Sequence, residues 1–86
     1  MPISYVLINS NLGTDVQIIA EIKEIMNEQS DVQIEIQGVY GVYDIILKLT
    51  ADDTTKLRSI VTNEIRKIEN VQSTLTMMVI EQQEKS

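Results

Sequence analysis

One plan occurs twice in this chain, and it constrains the fold more than any other feature. Residues 3–37 and 43–80 each read as strand, capped helix, strand. "ISYVLIN", Ile3 to Asn9, is β-rich and apolar on both faces. "SNLGTD" breaks it. Thr14, with Gln17 three residues on, has the form of a capping box. Behind it Ile18, Ile22 and Ile25, with Ile19 and Met26 alongside, recur at helical spacing, and the helix is predicted to end by Glu28. In "DVQIEIQG" Val32, Ile34 and Ile36 face one way, and Gln33, Glu35 and Gln37 the other, as in a strand with one wet side. "YDIILKLT", Tyr43 to Thr50, is the next strand, close enough to pair as a hairpin. Asp52 or Asp53 is predicted to cap a second helix whose stripe runs through Leu57, Ile60, Val61, Glu64, Ile65 and Ile68. Asn70 suits a left-handed residue after it, and "VQSTLTMMVIE", Val71 to Glu81, reads as the last strand.

Right-handed crossovers of two such units interleave into one antiparallel sheet with both helices on one face. The expected class is α+β: a ferredoxin-like β-α-β-β-α-β chain with a four-stranded sheet. A parallel sheet with helices on opposite faces conflicts with the tight hairpin in the middle. Eighty-six residues allow one domain, expected over 1–81, with a frayed polar tail at 82–86. A chain this short buries only about 60% of its unfolded surface.

Two helices cover one side of the sheet, yet both sides of the strands carry apolar residues. Strand one has Ile3, Tyr5 and Leu7 against Val6 and Ile8; strand four has Leu75, Met77 and Val79 against Met78 and Ile80. Strand three sets Ile45, Leu47 and Leu49 against Ile46. Whichever set meets the helices, large apolar side chains are left over, each forgoing about 1.5–3 kcal/mol in water. Contiguous patches of this kind mark interfaces. The expectation is a homodimer built sheet face to sheet face, a dimeric α-β sandwich.

Composition removes several classes of function. The net charge is −6, with seven Lys and Arg against thirteen Asp and Glu, and Arg66-Lys67 is the only adjacent basic pair. Direct nucleic-acid binding, which draws on a basic stripe, is not expected. No cysteine and no histidine are present, which removes most transition-metal sites and every Ser-His or Cys-His nucleophile. No metal or cofactor is expected. No apolar run approaches the roughly 20 residues of a membrane span, and "MPISYVLINS" lacks the form of a signal peptide. A cytoplasmic protein is expected.

The stretch "GVYGVYD", Gly38 to Asp44, holds two of the three glycines and two of the three tyrosines. Gly41 sits where a hairpin wants positive φ. On the turn alone, the plain reading is a glycine-permitted hairpin with Asp44 solvated. A chemical reading stands beside it. Backbone N–H groups of such a turn can hold a carboxylate. Asp44 can receive an ammonium, and Tyr40 and Tyr43 can wall the site. Ser73, Thr74 and Thr76 offer hydroxyls. Together these suit a zwitterion such as a free amino acid.

"VYGVYDIILKL", followed by "ENVQSTLTMMVIE", resembles the effector-binding domain of the Lrp/AsnC family, the RAM domain (regulation of amino acid metabolism). The family pattern V-x-G-x-[YF]-D falls on Val39, Gly41, Tyr43 and Asp44, and G-V-x-x-[ST]-x-T falls on Val71, Thr74 and Thr76. The resemblance covers essentially the whole chain. It implies a ligand site of Tyr40, Gly41, Tyr43, Asp44, Thr74 and Thr76, with the threonines coming from an adjacent subunit. It also implies dimers assembling into rings of four or five, octamers or decamers. The usual helix-turn-helix is absent, so the expectation is a stand-alone RAM protein, and a full-length Lrp/AsnC-type regulator is an implied partner. The family's glycine before Val71 is Asn70 here.

Other functions on this fold fit less well. "IQGVYGVY" has a superficial likeness to the acylphosphatase loop but lacks its phosphate-holding arginine and lies between strands two and three. Ferredoxin-like monooxygenases often employ histidine, tryptophan or asparagine, and this chain lacks the first two. An enzyme is not expected. A structural assembly partner without a ligand stays open as the alternative.

Overall fold

The structure is a computed structural model that describes residues 2–80. Its elements are β1 (Ile3–Ser10), α1 (Asp15–Asn27), β2 (Gln33–Gly38), β3 (Ile45–Thr50), α2 (Thr54–Asn63), a 3-10 turn (Ile65–Lys67) and β4 (Val71–Met78). All strand pairs are antiparallel, in the order β2-β3-β1-β4. This is the ferredoxin-like β-α-β-β-α-β fold, as the repeated plan predicts. The tail at 82–86 lies outside the described residues.

The face of the sheet that meets the helices is set by register. Ser4, Val6 and Ile8 of β1 and Ile45, Leu47 and Leu49 of β3 are fully buried. Ile34 and Ile36 of β2, paired with Leu49 and Leu47, complete that face. Ile18, Ile22 and Met26 of α1 pack on it, as do Leu57, Ile60 and Val61 of α2. The apolar period of 2 in the strands and 3.6 in the helices thus converges on one core.

The helix ends depart from expectation in two places. The capping box at α1 does not form. Thr14 occupies the cap position, but its side chain makes no cap bond; its hydroxyl donates instead to the Asn11 carbonyl at 2.7 Å. Gly13, at φ +78°, turns the chain so that this carbonyl lies within reach. The second helix also stops earlier than its apolar stripe suggests. Glu64 is the C-terminal cap residue, its N–H still donating to the Ile60 carbonyl at 3.0 Å, and the 3-10 turn after it returns Ile65 and Ile68 to the core. Glu64, the polar interruption in that stripe, is exposed. Asp53 rather than Asp52 caps α2, its carboxylate accepting from the Thr55 N–H at 2.8 Å. Asn70 takes the expected left-handed conformation, φ 76°.

The strands are trimmed relative to the sequence reading. β3 begins at Ile45 rather than Tyr43, with one more bond from the Asp44 N–H across to the Ile8 carbonyl. β2 begins at Gln33, the Val32 N–H being spent on the Gln29 carbonyl. β4 ends at Met78, with one more bond from the Val79 N–H to the Ile3 carbonyl.

Among the described residues, the opposite face of the sheet carries no helix. Two cross-strand rows run over it: Ile46–Leu7–Leu75, and Lys48–Tyr5–Met77. Leu75 and Met77 remain 44% and 46% exposed. The β2 margin of the same face is polar, with Gln33, Glu35 and Gln37, and Glu35 meets Lys48 at 3.6 Å. The leftover apolar set is therefore the Ile3, Tyr5, Leu7 side of β1 joined to Leu75 and Met77.

Candidate functional site

The hairpin closes where the β2–β3 ladder ends. Beyond the Gly38–Ile45 pair, the Val39 N–H donates to the Asp44 carbonyl at 2.8 Å. This leaves Tyr40, Gly41, Val42 and Tyr43 as the loop. Gly41 has φ +141°, as a glycine at the tip allows. Among the described residues, the N–H groups of these four have no backbone partner. Tyr40 and Val42 are fully or nearly fully exposed, and Tyr43 is half-buried.

Asp44 is not a free solvated carboxylate. Its Oδ2 accepts from the Ser10 N–H at 2.9 Å and from the Ser10 hydroxyl at 3.1 Å. These bonds fasten the hairpin to the end of β1, where strand pairing to β4 shifts register between Asn9 and Ser10. The residue beyond, Asn11, bonds to Asn70 at the foot of β4 through both its amide N–H, at 2.9 Å, and its side chain, at 3.2 Å.

A depression of about 440 Å³ opens beside Asp44, lined also by Ser10, Gly13, Asp15, Tyr40 and Gln72. Among the described residues, it presents two carboxylates and no basic side chain. Such a surface suits a positively charged group, and the exposed Tyr40 ring supplies an apolar wall.

Thr74 and Thr76 lie elsewhere on the same chain. Their partners on β1 are Ile8 and Val6, so they point to the helix side of the sheet. There they line a groove of about 430 Å³ between β4 and α2, with Arg58, Thr62, Arg66 and Met78. A smaller depression of about 270 Å³, lined by Arg66, Gln72 and Thr74 among others, lies between the two larger ones and shares residues with each. The structure therefore brings Tyr40 and Asp44 together, keeps Gly41 and Tyr43 in the adjoining turn, and sets Thr74 and Thr76 apart within one subunit. Ser10, Gly13, Asp15 and Gln72 were not singled out from the sequence. The available signal was topological: in this fold the end of β1 lies beside the start of β3, which brings the residues after β1 to the hairpin. Arg58 and Arg66 were legible as a four-residue period with Thr62 on the flank of the apolar stripe.

Residues 10–86 match the family described as the Lrp/AsnC ligand binding domain. The chain belongs to this family. Among solved structures, FFRP-DM1 is 30% identical, with a TM-score of 0.74, over 93% of this chain and 100% of its own. The protein TTHA0845 of Thermus thermophilus is 25% identical, with a TM-score of 0.83, over 99% of this chain and 100% of its own. Escherichia coli AsnC shares the fold at 21% identity and a TM-score of 0.78, and this chain spans 54% of its length. No curated protein matches the chain. Among the described residues of this Lrp/AsnC ligand-binding domain, no group of His, Cys, Asp and Glu could hold a metal ion. No described helix is long and apolar enough to cross a membrane.

Proposed function

We propose that this Lrp/AsnC ligand-binding domain is a non-enzymatic module that binds a free amino acid and couples it to assembly. The observation that carries this reading is the depression beside Asp44, where two carboxylates meet an exposed tyrosine next to a hairpin turn whose N–H groups have no backbone partner among the described residues. The ligand's ammonium goes to Asp44, its carboxylate to the turn around Gly41, and Tyr40 and Tyr43 flank it. Thr74 and Thr76 line a separate groove in their own chain, and the family resemblance implies that they serve this depression from a neighbouring subunit. Assembly follows from the uncovered apolar rows of the sheet, which pair two copies into a homodimer; dimers then meet at the hairpins to form octamers or decamers. A regulator of Neisseria meningitidis with this fold, 12% identical at a TM-score of 0.71, has been solved as a complex with L-Met, which supports an amino-acid ligand here. The module acts in the cytoplasm on transcription or amino-acid metabolism, through a full-length regulator of the same family, without touching nucleic acid or membrane itself.

A second reading is favoured by one contact. Asp44 already holds Ser10 through Oδ2, which gives that carboxylate a structural duty and allows an assembly partner with no ligand. A thermal-shift screen of the common amino acids, with light scattering for mass, separates the two. A ligand at a hundredfold its Kd adds about 2.7 kcal/mol. In a domain this small the melting temperature then rises on the order of ten degrees. Asp44→Ala should abolish the response. Full affinity in that variant removes Asp44 as the ammonium partner, and no response to any amino acid selects the second reading.

A further inference from the structure

Both arginines of this chain line one groove. The sequence holds only two, Arg58 and Arg66, in a protein of net charge −6. They flank Thr62 at four-residue spacing, so the three form a row along α2 and its 3-10 extension. Thr74, Thr76 and Met78, alternate residues of β4, face this row across the groove. Among the described residues, no carboxylate lines it. The ion pairs among the described residues use lysines, Lys48 with Glu35 and Lys56 with Asp31, and neither arginine takes part. In a chain with thirteen acidic residues, that separation leaves two guanidinium groups facing hydroxyls rather than counter-charges.

We infer that the groove between α2 and β4 is a carboxylate-binding site, and that the effector is accordingly a dicarboxylic amino acid. The guanidinium fork matches a carboxylate in two parallel hydrogen bonds, which a threonine hydroxyl can supplement. A groove of about 430 Å³ has room for such a group. As an edge strand, β4 also presents unpaired N–H groups along its outer margin. The inference rests on the amino-acid reading above, and it sharpens that reading. When Thr74 and Thr76 of one subunit serve the Asp44 depression of another, they bring Arg58 and Arg66 with them. The ligand's ammonium then meets the acidic depression, and its second carboxylate meets the basic groove.

Calorimetry on the intact chain tests this with four probes: glutamate, aspartate, glutamine and glutarate. Glutamate or aspartate is expected to bind at least about tenfold more tightly than glutamine, the difference one charge-assisted pair supplies. Glutarate, which lacks the ammonium, is expected to bind weakly and without help from Asp44. The variant Arg58→Gln with Arg66→Gln should bring glutamate down to the level of glutamine and abolish glutarate binding. Both side chains are exposed in the single chain, so the variant should keep the parent's fold by circular dichroism. Glutamine binding as tightly as glutamate overturns the inference, as does a preference that survives loss of both arginines. Neutral amino acids that bind through Asp44 with no gain from a second carboxylate would leave the effector reading standing and end this one. Failure of every probe, glutarate included, ends it too, and Asp44→Ala then decides the effector reading separately.

Discussion

Ser4 sits on the helix-facing side of β1, between Leu49 and Met78, and its hydroxyl is buried with no hydrogen-bond partner among the described residues. A hydroxyl stripped of water and left unpaired opposes folding. Ser4→Ala is therefore expected to raise the unfolding free energy by about 1 kcal/mol, read from urea denaturation. The glycine at the hairpin tip gives the opposite sign. A Cβ on Gly41 would meet nothing within 4 Å, so space is no obstacle, but φ is +141°. Gly41→Ala should cost about 1 kcal/mol or more through backbone strain alone, with the fold retained by circular dichroism. Together the two positions separate what a side chain meets from what a backbone tolerates.

At the scale of elements, the two helices begin differently. Asp53 caps α2 with its side chain, and Asp53→Ala should lower stability by about 1 kcal/mol in the same denaturation assay. The entry to β2 is tied to α2 by an ion pair between Asp31 and Lys56. The hydrogen bond from Lys56 is the main cause that holds the Asp31 carboxyl below its ordinary 3.8. A depressed folded value means that the pair's contribution is present above pH 3.8 and is lost as pH falls through the lower folded value. An NMR titration should show the Asp31 midpoint rise toward its ordinary value in Lys56→Gln. The periodicity of apolar residues sufficed to read all six main elements from the sequence. What it missed were contacts between residues distant in the chain or competition for one group. Thr14 has the sequence form of a capping box, yet nothing local reveals that the Asn11 carbonyl takes its hydroxyl. Asp44 and Ser10 lie thirty-four positions apart, so their bond depends on strand order. The face on which Thr74 and Thr76 point likewise depends on register with β1, and periodicity alone leaves it two-fold ambiguous.

For the whole molecule, the uncovered sheet face decides behaviour. The row Ile46–Leu7–Leu75 lies beside Tyr5 and Met77, while charge gathers on the β2 margin. Covering this face with its own copy would remove several large side chains from water, each contributing about 1.5–3 kcal/mol. Sedimentation of the parent chain is expected to give a dimer or larger species at micromolar concentration. Leu75→Lys, on the exposed β4 side of the patch, should shift it toward the 9.8 kDa monomer without unfolding it. A parent chain that already sediments as a folded monomer removes the assembly reading.

The bond between Asp44 and Ser10 links the two halves of the repeated plan. Ser10 adjoins Asn11, and Asn11 grips Asn70 where β4 begins. Three short links thus run from the hairpin, across the end of β1, to the opposite edge of the sheet. On the amino-acid reading, a guest that draws on Asp44 competes with Ser10 for that carboxylate, at the first of these links. News of occupancy at one margin can reach the other along a handful of hydrogen bonds, with no hinge and no moving lid.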